Sequence, residues 1–115
     1  HVPLTKETKY MINKHFIDKC SKPFYLINTA RGPVVNTHDL ISALKSKKIA
    51  GAALDVIEYE ESSFEQLVQF PPEFHELTQF QNVLLTPHIA GWTVESKIKL
   101  AEILADKILN YMNVR

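Results

Sequence analysis

Glycine is scarce: three in 115 residues, Gly32, Gly51 and Gly91. Their spacing excludes a G-x-G-x-x-G turn, so no glycine-rich cradle for a pyrophosphate can be written. A lone cysteine, Cys20, excludes a disulfide framework, a cysteine-based zinc site and a C-x-x-C pair, and no metal is expected. A reducing cytoplasm fits that usage. Neither sign of charge is in excess, with 13 basic and 13 acidic residues, which removes the electrostatic case for nucleic acid or an anionic membrane. No stretch approaches the roughly 20 apolar residues of a membrane span. The first residues, His1-Val-Pro-Leu-Thr-Lys-Glu-Thr, lack the basic start and apolar core of a signal peptide. They also lack an initiator Met and begin inside an apparent strand-to-helix junction, so a longer parent chain is expected.

What the chain does have is 45% hydrophobic residues, enough for one small domain burying roughly 65% of its unfolded surface. Three short apolar runs stand out: Phe24-Tyr-Leu-Ile-Asn-Thr-Ala, Ala50-Gly-Ala-Ala-Leu-Asp-Val-Ile and Asn82-Val-Leu-Leu-Thr-Pro. Continuous runs of this kind read as parallel strands buried on both faces. We expect strands at 24–28, 50–56 and 83–86. Thr5 can cap a first helix whose apolar positions include Tyr10, Met11, Ile12, Phe16 and Ile17, ended by Ser21-Lys-Pro. Residues 36–39 offer caps for a second helix through Leu40, Ile41 and Leu44, with Lys45, Lys47 and Lys48 suiting its C-terminal dipole.

Residues 58–81 read as a surface excursion with short helical turns at 64–68 and 74–80. A long last helix is expected from Thr93 to about Met112. Its Val94, Ile98, Ala101, Ala105, Ile108 and Met112 step by 4, 3, 4, 3 and 4, and Leu100, Leu104 and Tyr111 widen the stripe. Such faces are taken as core. Strands alternating with helices predict an α/β fold: half of a doubly wound parallel sheet, about three strands with flanking helices, plus the long C-terminal helix.

Ligands of open α/β sheets bind beyond the carboxyl ends of the strands. Each run here ends near a group that can do chemistry. Arg31, followed by Gly32, offers a guanidinium fork that matches a carboxylate; alone it also reads as a surface arginine paired with a nearby acid. Glu58, Glu60 and Glu61 could hold the tautomer of a histidine and raise its pKa, although clustered acids are more often a solvated loop. Asp55, still inside its strand, needs a donor partner if buried. His88 lies between a strand end and a helix start, where a rigid frame can aim an imidazole. His15, His38 and His75 read as exposed.

Taken together and in order, these stretches resemble the D-isomer-specific 2-hydroxyacid dehydrogenases, the family that includes phosphoglycerate dehydrogenase. The residues carrying the likeness are His1-Val-Pro-Leu-Thr with Thr8, Ile27-Asn-Thr-Ala-Arg-Gly-Pro-Val-Val35, and Leu40 with Ala43-Leu44. Ile49-Ala-Gly-Ala-Ala-Leu-Asp-Val56 and Asn82-Val with Thr86-Pro-His-Ile-Ala-Gly91 complete it. The match implies residues 1–92 as the second half of the NAD-binding domain and 93–115 as a helix returning toward a substrate domain.

By that resemblance Arg31 orients the substrate, His88 is the acid/base and Glu60 supports it. Val2, Thr29, Ala30, Arg31, Asp55, His88, Ala90 and Gly91 fall where relatives meet the nicotinamide end of NAD, with Asp55 implied to bond the carboxamide. The cofactor implied is NAD, with NADP left open. The family usually follows its glutamate closely with proline, whereas Glu60 leads into Glu61-Ser-Ser, so Glu58 and Glu61 stay in play. A glutamate rather than an amide argues against formate as substrate.

The implied parent is a phosphoglycerate dehydrogenase-like enzyme moving hydride between nicotinamide and a D-2-hydroxy acid. An erythronate-4-phosphate dehydrogenase-like enzyme, suggested by His88-Ile-Ala-Gly-Trp-Thr, is the nearest alternative. A non-catalytic NAD-sensing interaction module and a poorly folding pseudogene product are the others. Residues 1–115 alone are expected to be inactive and to bind NAD weakly or not at all. The unpaired edge of strand 24–28 predicts self-association, with a homodimer expected.

Overall fold

The computed structural model describes residues 1–59 and 71–113. In chain order they form α1 (Lys14–Lys19), β1 (Phe24–Asn28), α2 (Thr37–Lys45), β2 (Ile49–Leu54), α3 (Pro72–Leu77), β3 (Val83–Leu85) and α4 (Val94–Asn113). The three apolar runs become a parallel sheet in the order β1-β2-β3. Asn28 lies opposite Leu54, and Leu54 opposite Leu85, so the strands finish level. That level finish sets up everything at the carboxyl edge.

Alternation along each strand decides which side chains reach the core. Leu26, Ala52, Leu54, Val83 and Leu85 pack with Ile17 of α1, with Leu40, Ile41 and Leu44 of α2, and with Leu77 of α3. Leu77 is fully buried, so part of the expected surface excursion belongs to the core. Of the candidate caps at 36–39 it is Asn36 that caps α2, its side-chain oxygen accepting from the Asp39 amide at 3.0 Å. At the other end of α2, Lys45 pairs with Glu76 of α3. His15, His38 and His75 are exposed, as read from their surroundings.

Three expectations need correction. The sheet is not buried on both faces: Tyr25, Ile27 and Leu84 are 76%, 71% and 62% exposed, all on the side away from the helices. Both crossovers place their helices on the same side, and no described element covers the other. Nor does α4 bury its apolar stripe, for none of its residues is buried.

The first helix is also shorter than its apolar spacing predicts. Thr5 caps a single turn, its carbonyl accepting from the Lys9 amide. Then Tyr10 takes a left-handed conformation, φ 54°, and the chain runs alongside residues 33–36 instead. The Tyr10 and Ile12 amides donate to Pro33 and Val34, and the Asn36 amide donates back to Ile12. Asn13 restarts the helix as N-cap of α1, accepting from the Phe16 amide. A tertiary ladder has outcompeted local helix propensity. The expected turn at 64–68 lies outside the described residues.

Candidate active site

Two buried polar side chains, both about 5% exposed, stand at the ends of the first two strands. Asn28 is the last residue of β1, and Asp55, expected inside its strand, is the first residue beyond β2. A polar group in such a place costs free energy unless it is hydrogen-bonded, and each satisfies itself by folding the turn beside it. Asn28 accepts from the Ala30 amide at 3.1 Å and donates to the Arg31 carbonyl at 3.1 Å, which shapes the turn that presents Arg31. Arg31 is exposed, with one guanidinium nitrogen donating to the Ala30 carbonyl at 2.7 Å.

Asp55 reaches across to the next strand. Its Oδ1 accepts from the Thr86 hydroxyl at 2.6 Å and the Ile89 amide at 2.8 Å, and its Oδ2 from the Ala90 amide at 2.9 Å. The His88 amide donates to the Asp55 carbonyl at 2.9 Å. His88 itself is left-handed, φ 55°, a conformation that His tolerates better than most residues. One aspartate thus wraps the His88 turn around its carboxylate. Burial works to raise the Asp55 pKa; the bonds from Thr86, Ala90 and Ile89, with the charge of a protonated His88, outweigh it and leave the carboxyl below the usual aspartate value.

A group depressed in this way stabilises the fold above its unfolded pKa, near 4, and that stability drains away as pH falls through the lower folded value. Asp55→Asn puts an amide N–H2 against donors and removes a buried charge with three partners. We predict a loss of about 3 kcal/mol, with a flatter stability profile below about pH 4. Urea unfolding between pH 3 and 7 would test this; an unchanged midpoint at pH 7 would refute it.

The three groups anticipated from the sequence fare differently. Arg31 and His88 stand three residues beyond the level ends of β1 and β3, on the same edge of the sheet. Glu60 and Glu61 lie outside the described residues. Glu58 is committed elsewhere: its Oε1 accepts from the Tyr10 hydroxyl at 2.5 Å and its Oε2 from the Thr37 amide at 3.0 Å. Thr29 and Ala30 line a cleft of about 360 Å³ with Val2, His1, Met11 and Asn28, and the Thr29 hydroxyl sits 3.2 Å from His1 Nδ1. Ala90 donates its amide to Asp55, and Gly91 has open space around its Cα.

Roles for Asn28, Thr86 and Tyr10 were not anticipated. The signal for the first two was present, a polar residue closing an apolar run; nothing local marks Tyr10. Among the described residues no cluster of His, Cys, Asp and Glu could hold a metal ion. No described helix is long and apolar enough to cross a membrane.

A parallel α/β layer with a cation and an imidazole on its carboxyl edge defines half of a dinucleotide-binding domain. Residues 1–90 match the model of the "D-isomer specific 2-hydroxyacid dehydrogenase, NAD binding domain". The chain belongs to that family, whose cofactor is NAD. It is 51% identical over 109 residues to a glyoxylate reductase of Thermofilum pendens, covering 95% of this chain and 30% of the relative. A D-3-phosphoglycerate dehydrogenase of Bacillus subtilis is 38% identical over 111 residues, covering 96% and 19%. The NAD-complexed D-isomer specific 2-hydroxyacid dehydrogenase of Lactobacillus delbrueckii superposes with a TM-score of 0.75 at 36% identity, covering 98% of this chain and 36% of its own. The chain therefore spans between about a fifth and a third of the length of these relatives.

The residues present fit one end of NAD. A mainly apolar cleft runs along β1 from Leu26 to Ala30, and its end at Thr29 and Ala30, on the carboxyl edge, suits the flat nicotinamide ring and its ribose. Nothing among the three glycines suits the pyrophosphate.

Proposed function

We propose that the protein carrying this chain is an NAD-dependent oxidoreductase interconverting D-2-hydroxy acids and 2-oxo acids, and that this chain supplies its acid/base edge. The observation that carries the reading is the level finish of the strands, with Asn28 forming the Arg31 turn and Asp55 the His88 turn. Val2, Thr29 and Ala30 would hold the nicotinamide end, with the 88–91 turn closing over it. When bound, that ring supplies the hydride acceptor or donor.

Arg31 pairs with the substrate carboxylate through its guanidinium fork and fixes the C2 oxygen in reach of the imidazole. His88 takes the hydroxyl proton during oxidation and returns it during reduction. Asp55 keeps the His88 backbone in place without sharing in that transfer, since most of its acceptor capacity serves Thr86, Ile89 and Ala90. Glu60 is the carboxylate we assign beside His88, on the resemblance alone. The spare acceptor position on Asp55 Oδ2 is what remains for the carboxamide.

For the substrate, we infer a small unphosphorylated 2-oxo acid of the glyoxylate kind. The support is the greater likeness to the glyoxylate reductase, 51% against 38% for the phosphoglycerate dehydrogenase. NADH oxidation by the full-length protein should be fastest with glyoxylate or another small 2-oxo acid. Preference for 3-phosphohydroxypyruvate would instead favour the phosphoglycerate reading. Residues 1–115 by themselves we take to be inactive. For residues 1–115 by themselves we propose self-association as a homodimer, supported by the β1 edge that no described strand pairs and the uncovered apolar face at Tyr25, Ile27 and Leu84. A cytoplasmic location rests on the lone Cys20.

A further inference from the structure

The groups around Gly32 form a closed ring that the reaction above does not use. Gly32 lies so tightly against the chain leaving β2 that a Cβ there would fall 1.8 Å from the Ile57 carbonyl oxygen and 2.7 Å from the Glu58 amide nitrogen. Glu58 in turn accepts from the Tyr10 hydroxyl at 2.5 Å, and the Tyr10 amide donates to the Pro33 carbonyl at 2.8 Å. Pro33 follows Gly32, which closes the circuit. The second Glu58 oxygen accepts from Thr37, the first residue of α2, and ties the ring to the core.

Two features show that the circuit is under constraint. Tyr10 takes its left-handed conformation where its amide and its hydroxyl serve opposite sides of the ring, a state unfavourable for an aromatic residue unless its surroundings hold it there. The Glu58 hydrogen bond, then burial and the carboxylate charge, hold the Tyr10 phenol above the ordinary tyrosine value, so the bond persists across neutral pH.

Arg31 sits inside this arrangement. Its carbonyl accepts from Asn28 on one side and the Val34 amide on the other, and its C-terminal neighbour is the glycine wedged on Ile57. We propose that Tyr10 and Glu58 form a clasp that positions Arg31, and so act on substrate binding without touching substrate. The inference rests on the role given to Arg31 under Proposed function. Loosening the clasp frees the 57–58 backbone from Gly32 and lets the guanidinium drift, and a misplacement on the order of 1 Å can cost about 10²-fold.

The test uses the full-length protein and compares Tyr10→Phe, Glu58→Gln and Glu58→Ala with an Arg31→Lys control. Each variant is first checked for a wild-type melting profile; Tyr10→Phe loses a single hydroxyl and is the mildest. We expect Tyr10→Phe to raise KM for the 2-oxo acid about 3- to 10-fold with KM for NADH within about 2-fold of wild type. Glu58→Ala should lower kcat/KM further, and Glu58→Gln, which keeps one acceptor oxygen, should recover part of the loss. If Arg31→Lys raises the substrate KM while Tyr10→Phe and Glu58→Gln leave it unchanged, the clasp is wrong and the role of Arg31 stands. If Arg31→Lys itself leaves KM unchanged, the role of Arg31 falls and the clasp with it. Equal rises in both Michaelis constants would overturn the clasp as a positioning device, because general loosening does not single out one substrate.

Discussion

His88→Asn in the full-length protein should lower kcat for 2-oxo acid reduction by about 10²–10⁴-fold, the usual worth of a positioned proton carrier. Asparagine is the informative replacement because it tolerates the left-handed backbone at φ 55° at least as well as histidine does. The Asp55 contacts to Thr86, Ile89 and Ala90 involve none of the imidazole atoms, so the turn should survive. What goes is a group able to carry a proton near neutral pH. Affinity for NADH, measured by fluorescence titration, should stay within about threefold of wild type, a shift under 1 kcal/mol. The result also separates an enzyme from an NAD-sensing interaction module, whose binding would persist with no turnover to lose. A variant that keeps its kcat would remove His88 from the mechanism.

Gly32→Ala should be the most destabilising of the three glycine-to-alanine changes, costing about 3 kcal/mol or more. The added carbon would lie 1.8 Å from a carbonyl oxygen and 2.1 Å from its carbon, and these are backbone atoms that no rotamer change can move aside. Retreat is blocked as well. Val56, one residue back, is 1% exposed, and Glu58, one residue on, is held by Tyr10 and Thr37. Against a total stability of 5–15 kcal/mol for ordinary domains, that is a large share. Urea denaturation should show a lowered midpoint with an unchanged slope. A midpoint within about 1 kcal/mol of wild type would mean that the two backbones separate freely, and the rigid link between the Arg31 turn and the β2 exit would be lost as an idea.

How far the sequence reveals this protein depends on the range of the interaction involved. β1 was legible to the residue because an apolar run bounded by Lys-Pro and Arg-Gly is a local signal. α2 was legible as a helix through Leu40, Ile41 and Leu44, but which of residues 36–39 caps it was not. The first helix misled because its apolar spacing is local too, whereas the bonds from Tyr10 and Ile12 to residues 33–36 join segments more than 20 positions apart. The stripe of α4 was legible as a pattern but not as a burial, since a pattern says that a face is apolar and not what meets it.

The chemistry divides along the same line. Composition and order were enough to set Arg31, the Glu58–Glu61 cluster and His88 after three apolar runs, with Asp55 inside the second, because residue type and strand endings are written locally. Only the tertiary structure decided that those ends are level, that Asp55 serves the neighbouring turn, and that Glu58 answers to Tyr10. Register and close backbone approach are settled by contacts between distant parts of the chain, each weak alone and jointly decisive. No window of sequence contains them.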